Sequence, residues 1–534
     1  MKGKMAGRFL AMALATVVSV GGLVACGGSN GSKEGCLTIK YFDGAYGEDW
    51  LETAATKFIN YKAGQGVEIT KKLIPCDATK AYKDITNQEG LADIYMMQNN
   101  GGWTDFVEGG LLEELTDTYN ATITTSAGTT TVKEYMLDGY NLQYYSQPVY
   151  DRSGQLPYLP WAMPWSMSQI GLVYNENILK ATPHTTAKAG EWAVGDMWSN
   201  APETVEDLLT YIADVNAQET YTVSVYDAKT DGFKDVTKKV APLTFPGTEN
   251  HWFKYLIQIW WAQYQGVYEE NTANVAQNAG AFYDFWNPSS MDVYNQEGIK
   301  KGIETVQSIF VDREKKSWKN NTDNVDSQSV QGAEDTFVKQ DAAILLGGSF
   351  MYREIETLVP PGVNFKMMNT PTIANAATNG DGSTTSINYY TSEDVMLVPA
   401  GATNKTLAKE FLAFLCNEEN VMDFVQKTGT MRPFKVADSA LSAEGVATNS
   451  FNQSVLDIYR TTDVKLVSLP ANLTDISKRT PYALYKNASM NVNGMYDIKS
   501  FVKDMKEKTS TQLMTIVYNE TEDDFNRWKG IYNV

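Results

Sequence analysis

The chain runs to 534 residues and carries 64 acidic side chains against 45 basic ones, a formal net charge of −19. That length exceeds what one compact core organises, so two or more domains are expected. The acidity argues against a nucleic-acid partner, whose phosphates it would repel, and solubility is the plainer meaning of the charge.

Lys2, Lys4 and Arg8 precede an uncharged, mainly apolar stretch of 17 residues from Phe9 to Ala25. A basic start, an apolar middle and small residues before a cut site predict a secretory signal peptide over residues 1–25. The stretch falls short of the roughly 20 residues of a spanning helix, and a retained anchor helix is the alternative. Leu23-Val24-Ala25-Cys26 resembles the lipobox of bacterial lipoproteins. The resemblance implies a Cys26 that is lipidated, with palmitate among its acyl chains, and becomes the new N-terminus. The protein would then sit on the outer face of the bacterial cytoplasmic membrane, held by a lipid anchor only. Loss of three positive charges with residues 1–25 takes the net charge from −19 to −22. Residues 26–36 read as the lipidated cysteine and a flexible linker, GGSNGSKEG. Gly27-Gly28-Ser29-Asn30-Gly31 matches a nucleophile elbow in letters alone, since a signal peptide stands where a strand is required.

Cys36-Leu37-Thr38-Ile39-Lys40-Tyr41-Phe42 reads as a strand, and Glu48 to Tyr61 as a helix burying Leu51, Ala54, Ala55 and Phe58. A second strand over Val67 to Ile74, a short helix from Tyr82 to Glu89 and a third strand from Ala92 complete a βαβ pattern, which implies a parallel sheet. Ligands of such sheets bind beyond the C-terminal strand ends, where Asp43, Tyr46, Asn99, Asn100 and Trp103 fall. Parallel strands would also put Cys36 and Cys76 at opposite ends, so no disulfide between them is expected. Thr116 to Gly154 reads as helix and loop. Prolines 157, 160 and 164 forbid a helix until after Trp165, and Gln169 to Tyr174 is a strand. Pro202 opens a helix with acidic residues in its first turn. His251 to Gln265 and Gln296 to Phe310 are helices. Glu334 to Gln340 is another, and Ala342 to Leu346 a buried strand before a turn at which Ser349 caps the next helix. Glu393 to Pro399 is a strand, Thr406 to Gln426 one long amphipathic helix, and the tail from Tyr496 mainly helical.

The order of these segments resembles the sugar-binding extracellular solute-binding proteins of ABC importers, the maltose-binding-protein-like group (family 1). Gly171-Leu172-Val173-Tyr174-Asn175, Pro202 through Leu208, Phe337 through Ser349 and Lys409 through Leu415 match its segments in order. Three positions depart from the pattern: Val205 for a tryptophan, Gln340 for a glycine, and Ser349-Phe350 for a Pro-Trp pair whose tryptophan often stacks on sugar. The resemblance implies an α/β, two-lobed periplasmic-binding-protein-like fold with a hinge and an interdomain ligand cleft. Lobe one would hold residues 37–165 and 371–427, lobe two 166–370 and 428–534, with hinge strands near 164–168 and 369–372. It also implies a monomer that captures an oligosaccharide and presents it to the transmembrane subunits of a permease.

A sugar site needs flat rings for C–H faces and amides or carboxylates for hydroxyls. Candidates from lobe one are Asp43, Tyr46, Asn99, Asn100 and Trp103, with Trp161 and Trp165 near the crossover. Lobe two offers Glu249, Asn250, Trp286 and Phe350, and the tail Tyr496. A non-sugar solute, such as a polyamine or a peptide, is the first alternative. A glycoside hydrolase is the second, but no pair of strand-end carboxylates stands out. The two histidines, His184 and His251, have no metal-ligand spacing, and no phosphate loop or dinucleotide fingerprint occurs, so neither cofactor nor metal is expected.

Overall fold

A computed structural model describes residues 31–42, 44, 46–98, 103–137, 145–146, 159–248, 252–267, 281–282, 295–378, 383–391, 394–466 and 504–515. Two main sheets organise them. The first has five strands in the order Thr70–Pro75, Cys36–Tyr41, Ile94–Gln98, Asp394–Leu397, Met163–Pro164. The first three are parallel, as the βαβ pattern requires, and the last two run antiparallel to their neighbours. The helix Asp49–Gly64 crosses between two of these strands and buries Trp50, Leu51, Ala54, Ala55 and Phe58. The second crossover helix, Ala78–Asn87, starts earlier than its apolar pattern suggests, because the Asp77 carboxylate accepts from the Lys80 N–H and caps it.

The second sheet has six strands. Gln169–Asn175 lies at its centre, flanked by Ala342–Gly348 and Ile387–Tyr390, both antiparallel to it. Ala241–Thr244 and Val464–Leu466 extend the two sides, and Phe365–Met367 also pairs with the central strand. Each sheet is covered on both faces by apolar clusters, so each lobe is a layered α/β unit with its own core.

Two segments cross differently from the expected boundaries. Ile387–Tyr390 falls in the second sheet, although residues 371–427 were assigned to lobe one. The return crossing therefore lies at 391–394; near 369–372, Thr370 is held inside lobe two by the Asn388 side chain. Met431, Phe434, Val436 and Leu441 pack into the first lobe's core, although 428–534 was assigned to lobe two. Sequence periodicity reports that a segment is a strand and says nothing about which sheet takes it.

Local chemistry explains the other differences. The expected helix from Thr406 to Gln426 is two helices, Lys405–Phe414 and Glu418–Thr428. The amides of Asn417 and Asn420 both donate to the Phe414 carbonyl and satisfy the broken end. The helix after Pro202 starts at Val205, because Thr204 accepts from Asp207 N–H and caps it. Ser349 does not cap the following helix, Met351–Ile355; its hydroxyl accepts from the Gln169 N–H at 3.2 Å and ties two strands together. Thr122–Thr125 and Gly128–Thr131 form a hairpin inside the stretch read as helix and loop.

Cys36 and Cys76 start one strand and follow its neighbour, and they are not joined: Cys76 and Cys416 are free.

Candidate ligand cleft

Three stretches of chain meet between the sheets. Residues 165–169 leave the first sheet for the second, residues 390–394 return, and residues 428–432 run alongside. The Thr391 N–H donates to Ser168 O at 2.8 Å, and the Met167 N–H to Met431 O at 2.8 Å, so the crossings are hydrogen-bonded to each other. These hydrogen-bonded crossings form the junction between the lobes.

A buried polar cluster locks the hinge. Tyr46, on the loop after the strand Cys36–Tyr41, is 2.5 Å from Ser168 Oγ and donates to Asp394 Oδ2 at 3.3 Å. The Ser166 hydroxyl donates to the same carboxylate oxygen. Burial, and then the Asp394 charge, push the Tyr46 phenol well above its usual range, so it stays protonated and can donate. The alternation Ser166-Met167-Ser168 puts both hydroxyls on one side of an extended strand, with Met167 buried on the other.

Behind this cluster stands an aromatic wall. Trp165 is 1% exposed, meets Tyr46 edge-on at 5.0 Å and stacks on Trp50 at 5.8 Å. Phe424 meets Trp50 edge-on at 4.9 Å. Arg432 is fully enclosed beside it, donating from Nε to Trp165 O at 3.2 Å and from Nη1 to Leu415 O. Among the described residues no carboxylate pairs with its charge, and burial lowers its pKa.

The second lobe contributes the turn after Ala342–Gly348. Phe350 is half-buried and packs against the apolar clusters of both lobes, with Trp252 at 6.0 Å on its own side. Gly348 makes room for it: a Cβ there would lie 2.5 Å from the Phe350 ring. Three residues on, Arg353 reaches across to Asp49 at 3.4 Å, beside Gly47, whose φ of +66° suits a glycine. Gln169, at the start of the central strand, is 1% exposed, and neither atom of its amide has a partner among the described residues.

The sequence candidates divide into three groups. Tyr46 and Trp165 come together at the hinge, and Phe350 faces them across the seam. Trp103 is buried in a separate cluster on the other face of the first sheet, with Trp161 half-buried against it. Asp43, Asn99, Asn100, Glu249, Asn250, Trp286, Tyr496 and the lipidation candidate Cys26 lie outside the described residues. Sequence reading missed Ser166, Ser168, Asp394, Gln169 and Arg353. Only the alternating serines carried a signal, visible once 165–169 is known to be extended. Among the described residues no cluster of His, Cys, Asp or Glu could hold a metal ion, and no helix is long and apolar enough to cross a membrane. His184 is stacked on Trp192 at 4.3 Å, a packing role.

Comparison with known proteins supplies the context for this cleft. The profile of the bacterial extracellular solute-binding protein family matches residues 54–450. No curated relative matches by sequence. Among solved structures, the chain is similar to the GacH receptor of Streptomyces glaucescens, solved unliganded and with acarbose. Identity is 12%, the TM-score 0.53, and coverage 93% of this chain and 99% of the receptor. A binding protein from Bacillus subtilis, in an open conformation, aligns at 13% identity and TM-score 0.52, over 93% and 98% of the two chains. The solute-binding protein RafE, in complex with raffinose, aligns at 13% identity and TM-score 0.50, over 89% and 99%. At these identities the likeness establishes the two-lobed α/β fold.

Proposed function

The chain belongs to the family of bacterial extracellular solute-binding proteins, receptors rather than enzymes, and on that premise we propose that it captures an oligosaccharide between its lobes and delivers it to the permease of an ABC importer. The observation that carries the sugar reading is the half-buried ring of Phe350. It lies on the seam of the two lobes, at the end of a second-sheet strand, and can offer a face to the C–H side of a sugar when the lobes part. Acarbose and raffinose, the ligands of two structural neighbours, are oligosaccharides that such a seam suits. Asp43, Asn99 and Asn100, which follow first-sheet strands, would supply hydroxyl partners, and Glu249, Asn250 and Trp286 would close from the other lobe. A hinge of hydrogen-bonded extended strands fits closure around the ligand.

Cys26 would carry the lipid that keeps the receptor beside its permease. A thioether at Cys26 should leave that sulfur unreactive toward thiol reagents and add the mass of the lipid to the mature chain. Intact mass and thiol titration of membrane-extracted protein test this directly.

The function is tested by thermal shift of the mature chain against oligosaccharides, monosaccharides, polyamines and peptides. A ligand at 100 times its Kd should add about 2.7 kcal/mol of stability. A rise with one oligosaccharide class supports the proposal. A rise with polyamines or peptides alone overturns the sugar, and release of cleaved product overturns the receptor reading.

A further inference from the structure

Arginine keeps its charge at any pH a folded protein meets, so one sealed inside a core needs a counter-charge and acceptors for its N–H groups. Arg432 is 0% exposed. Its Nε and Nη1 donate to the carbonyls of Trp165 and Leu415, which are dipoles and carry no net charge. Its Nη2 is buried and has no hydrogen-bond partner among the described residues. The ring centres of Phe434 and Phe424 lie 5.0 and 6.0 Å from the guanidinium carbon. Such rings offset part of the charge but accept none of the N–H bonds that remain.

Two hydroxyls beside it are in the same condition. Thr430 is 0% exposed, and its Oγ1 has no partner among the described residues. Thr430 and Arg432 flank Met431, which is paired as a β-bridge with Met167, so their side chains leave the same side of the backbone. Tyr135 Oη is also buried without a partner among the described residues. The Tyr135 ring stacks on Phe434 at 5.3 Å, the same ring that the guanidinium lies over. One positive charge and three polar hydrogens without acceptors therefore share an enclosed region behind the lobe junction.

The acids nearby do not supply the missing charge. Burial, then the Glu418 charge, raise the Tyr135 pKa, while the Arg432 charge lowers it, so the phenol stays protonated within the field of both groups. Glu418 itself accepts from the Ser126 N–H and hydroxyl, and it makes no ion pair with Arg432. The Cys416 thiol lies against the guanidinium, but burial pushes its pKa up to about 11, and it remains neutral.

We propose that this region binds a monovalent inorganic anion of halide size, held by Arg432 Nη2 and by the hydroxyls of Thr430 and Tyr135. A water molecule would satisfy the hydroxyls and leave the guanidinium charge unbalanced. A divalent oxyanion would bring a second negative charge that no further cation there balances. A single compact anion matches both the charge and the donors. Because Arg432 ties Trp165 O to Leu415 O, the ion stiffens the wall behind the junction whatever solute the lobes capture.

The purified mature protein is exchanged into sodium gluconate and titrated with sodium chloride or bromide at constant ionic strength, so that general screening is unchanged. A saturable rise in melting temperature of at least about 3 °C is expected, and its absence in Arg432→Met. Tyr135→Phe keeps the ring and removes one donor, so the half-saturating chloride concentration should rise at least about threefold. Crystals soaked in bromide should show an anomalous peak within hydrogen-bond distance of Arg432 Nη2. Equal melting in chloride and gluconate, a chloride response that survives in Arg432→Met, or an unchanged half-saturation in Tyr135→Phe overturns the site. So does ordered water in place of the bromide peak. A bromide peak without any response in solution marks an adventitious ion only, and overturns it as well. Should Arg432→Met fail to fold, Tyr135→Phe and the bromide map decide.

Discussion

Trp165 and Phe350 stand on either side of the lobe junction, and both were candidate sugar platforms. Trp165 is sealed between Tyr46, Trp50 and the Arg432 guanidinium, with 1% of its surface exposed. Phe350 is half-buried and touches the cores of both lobes. An enclosed ring can only brace the wall behind a ligand, whereas a ring on a seam has a face to offer once the seam opens. Burial and not ring type therefore separates a ring fixed in the hinge wall from one with a face open to the seam.

The strongest way to break this contrast is Trp165→Ala. It should cost about 3–5 kcal/mol of stability in a denaturant melt, as for other enclosed aromatics, while the folded fraction keeps most of its ligand affinity. Unchanged stability with lost binding would make Trp165 a ligand platform and erase the distinction. Arg432→Ala comes next, at about 3 kcal/mol, because it removes both the hydrogen bonds to Trp165 O and Leu415 O and the bulk that fills this enclosed site. Arg432→Met should cost less than Ala, since it fills the same space without burying a charge. A Met variant as unstable as Ala would show that the guanidinium hydrogen bonds, and not its bulk, hold the hinge.

Phe350→Ala should show the opposite profile. The loss in a partly exposed site is about 1–2 kcal/mol of stability, but under the proposed stacking role the Kd for the proposed oligosaccharide should rise at least about tenfold, equal to 1.4 kcal/mol. Calorimetric titration reads the second effect and thermal melting the first.

How much of this could be read beforehand follows from the same contrast. The βαβ unit was legible because Leu51, Ala54, Ala55 and Phe58 recur at helical spacing between two strands. The strand Ile387–Tyr390 was not read at all, and its place in the second sheet is a long-range pairing that local pattern does not encode. Tyr46 could be named at a strand end and Trp165 near the crossover, but the enclosure of Trp165 depends on Trp50 and Phe424, which lie far from it in the sequence. Asp394 was one of 64 acidic residues until the return crossing set it against Ser166 and Tyr46.

The helix Met351–Ile355, which follows Phe350, also links the seam to pH. Glu334 is 4% exposed, and burial, followed by the neighbouring Glu354 carboxylate, holds its pKa well above the usual carboxylate range. The folded state therefore keeps a proton that the unfolded chain releases near pH 4–5. Stability from this group is fully present below that unfolded value and falls as pH rises towards the folded pKa, by up to about 1.4 kcal/mol per unit. Glu334→Gln should flatten the melting temperature between pH 6 and 8 and raise it at pH 8. A variant with the wild-type slope would place the pH dependence elsewhere.

The smallest effect is expected at Arg353, one turn beyond Phe350. Its pair with Asp49 spans the seam, but the side chains are 34% and 76% exposed, so solvent screens the attraction. Arg353→Ala should change stability by only about 0–1 kcal/mol, and less at high salt. Its consequence for function is nevertheless distinct, because this ion pair forms only while the lobes are in contact. Ligand dissociation measured in stopped flow should accelerate modestly in the variant, and 0.5 M salt should bring wild type and variant together. If the two differ equally at every salt concentration, Arg353 acts through its packing beside Gly47, and the seam is held by shape and not by charge.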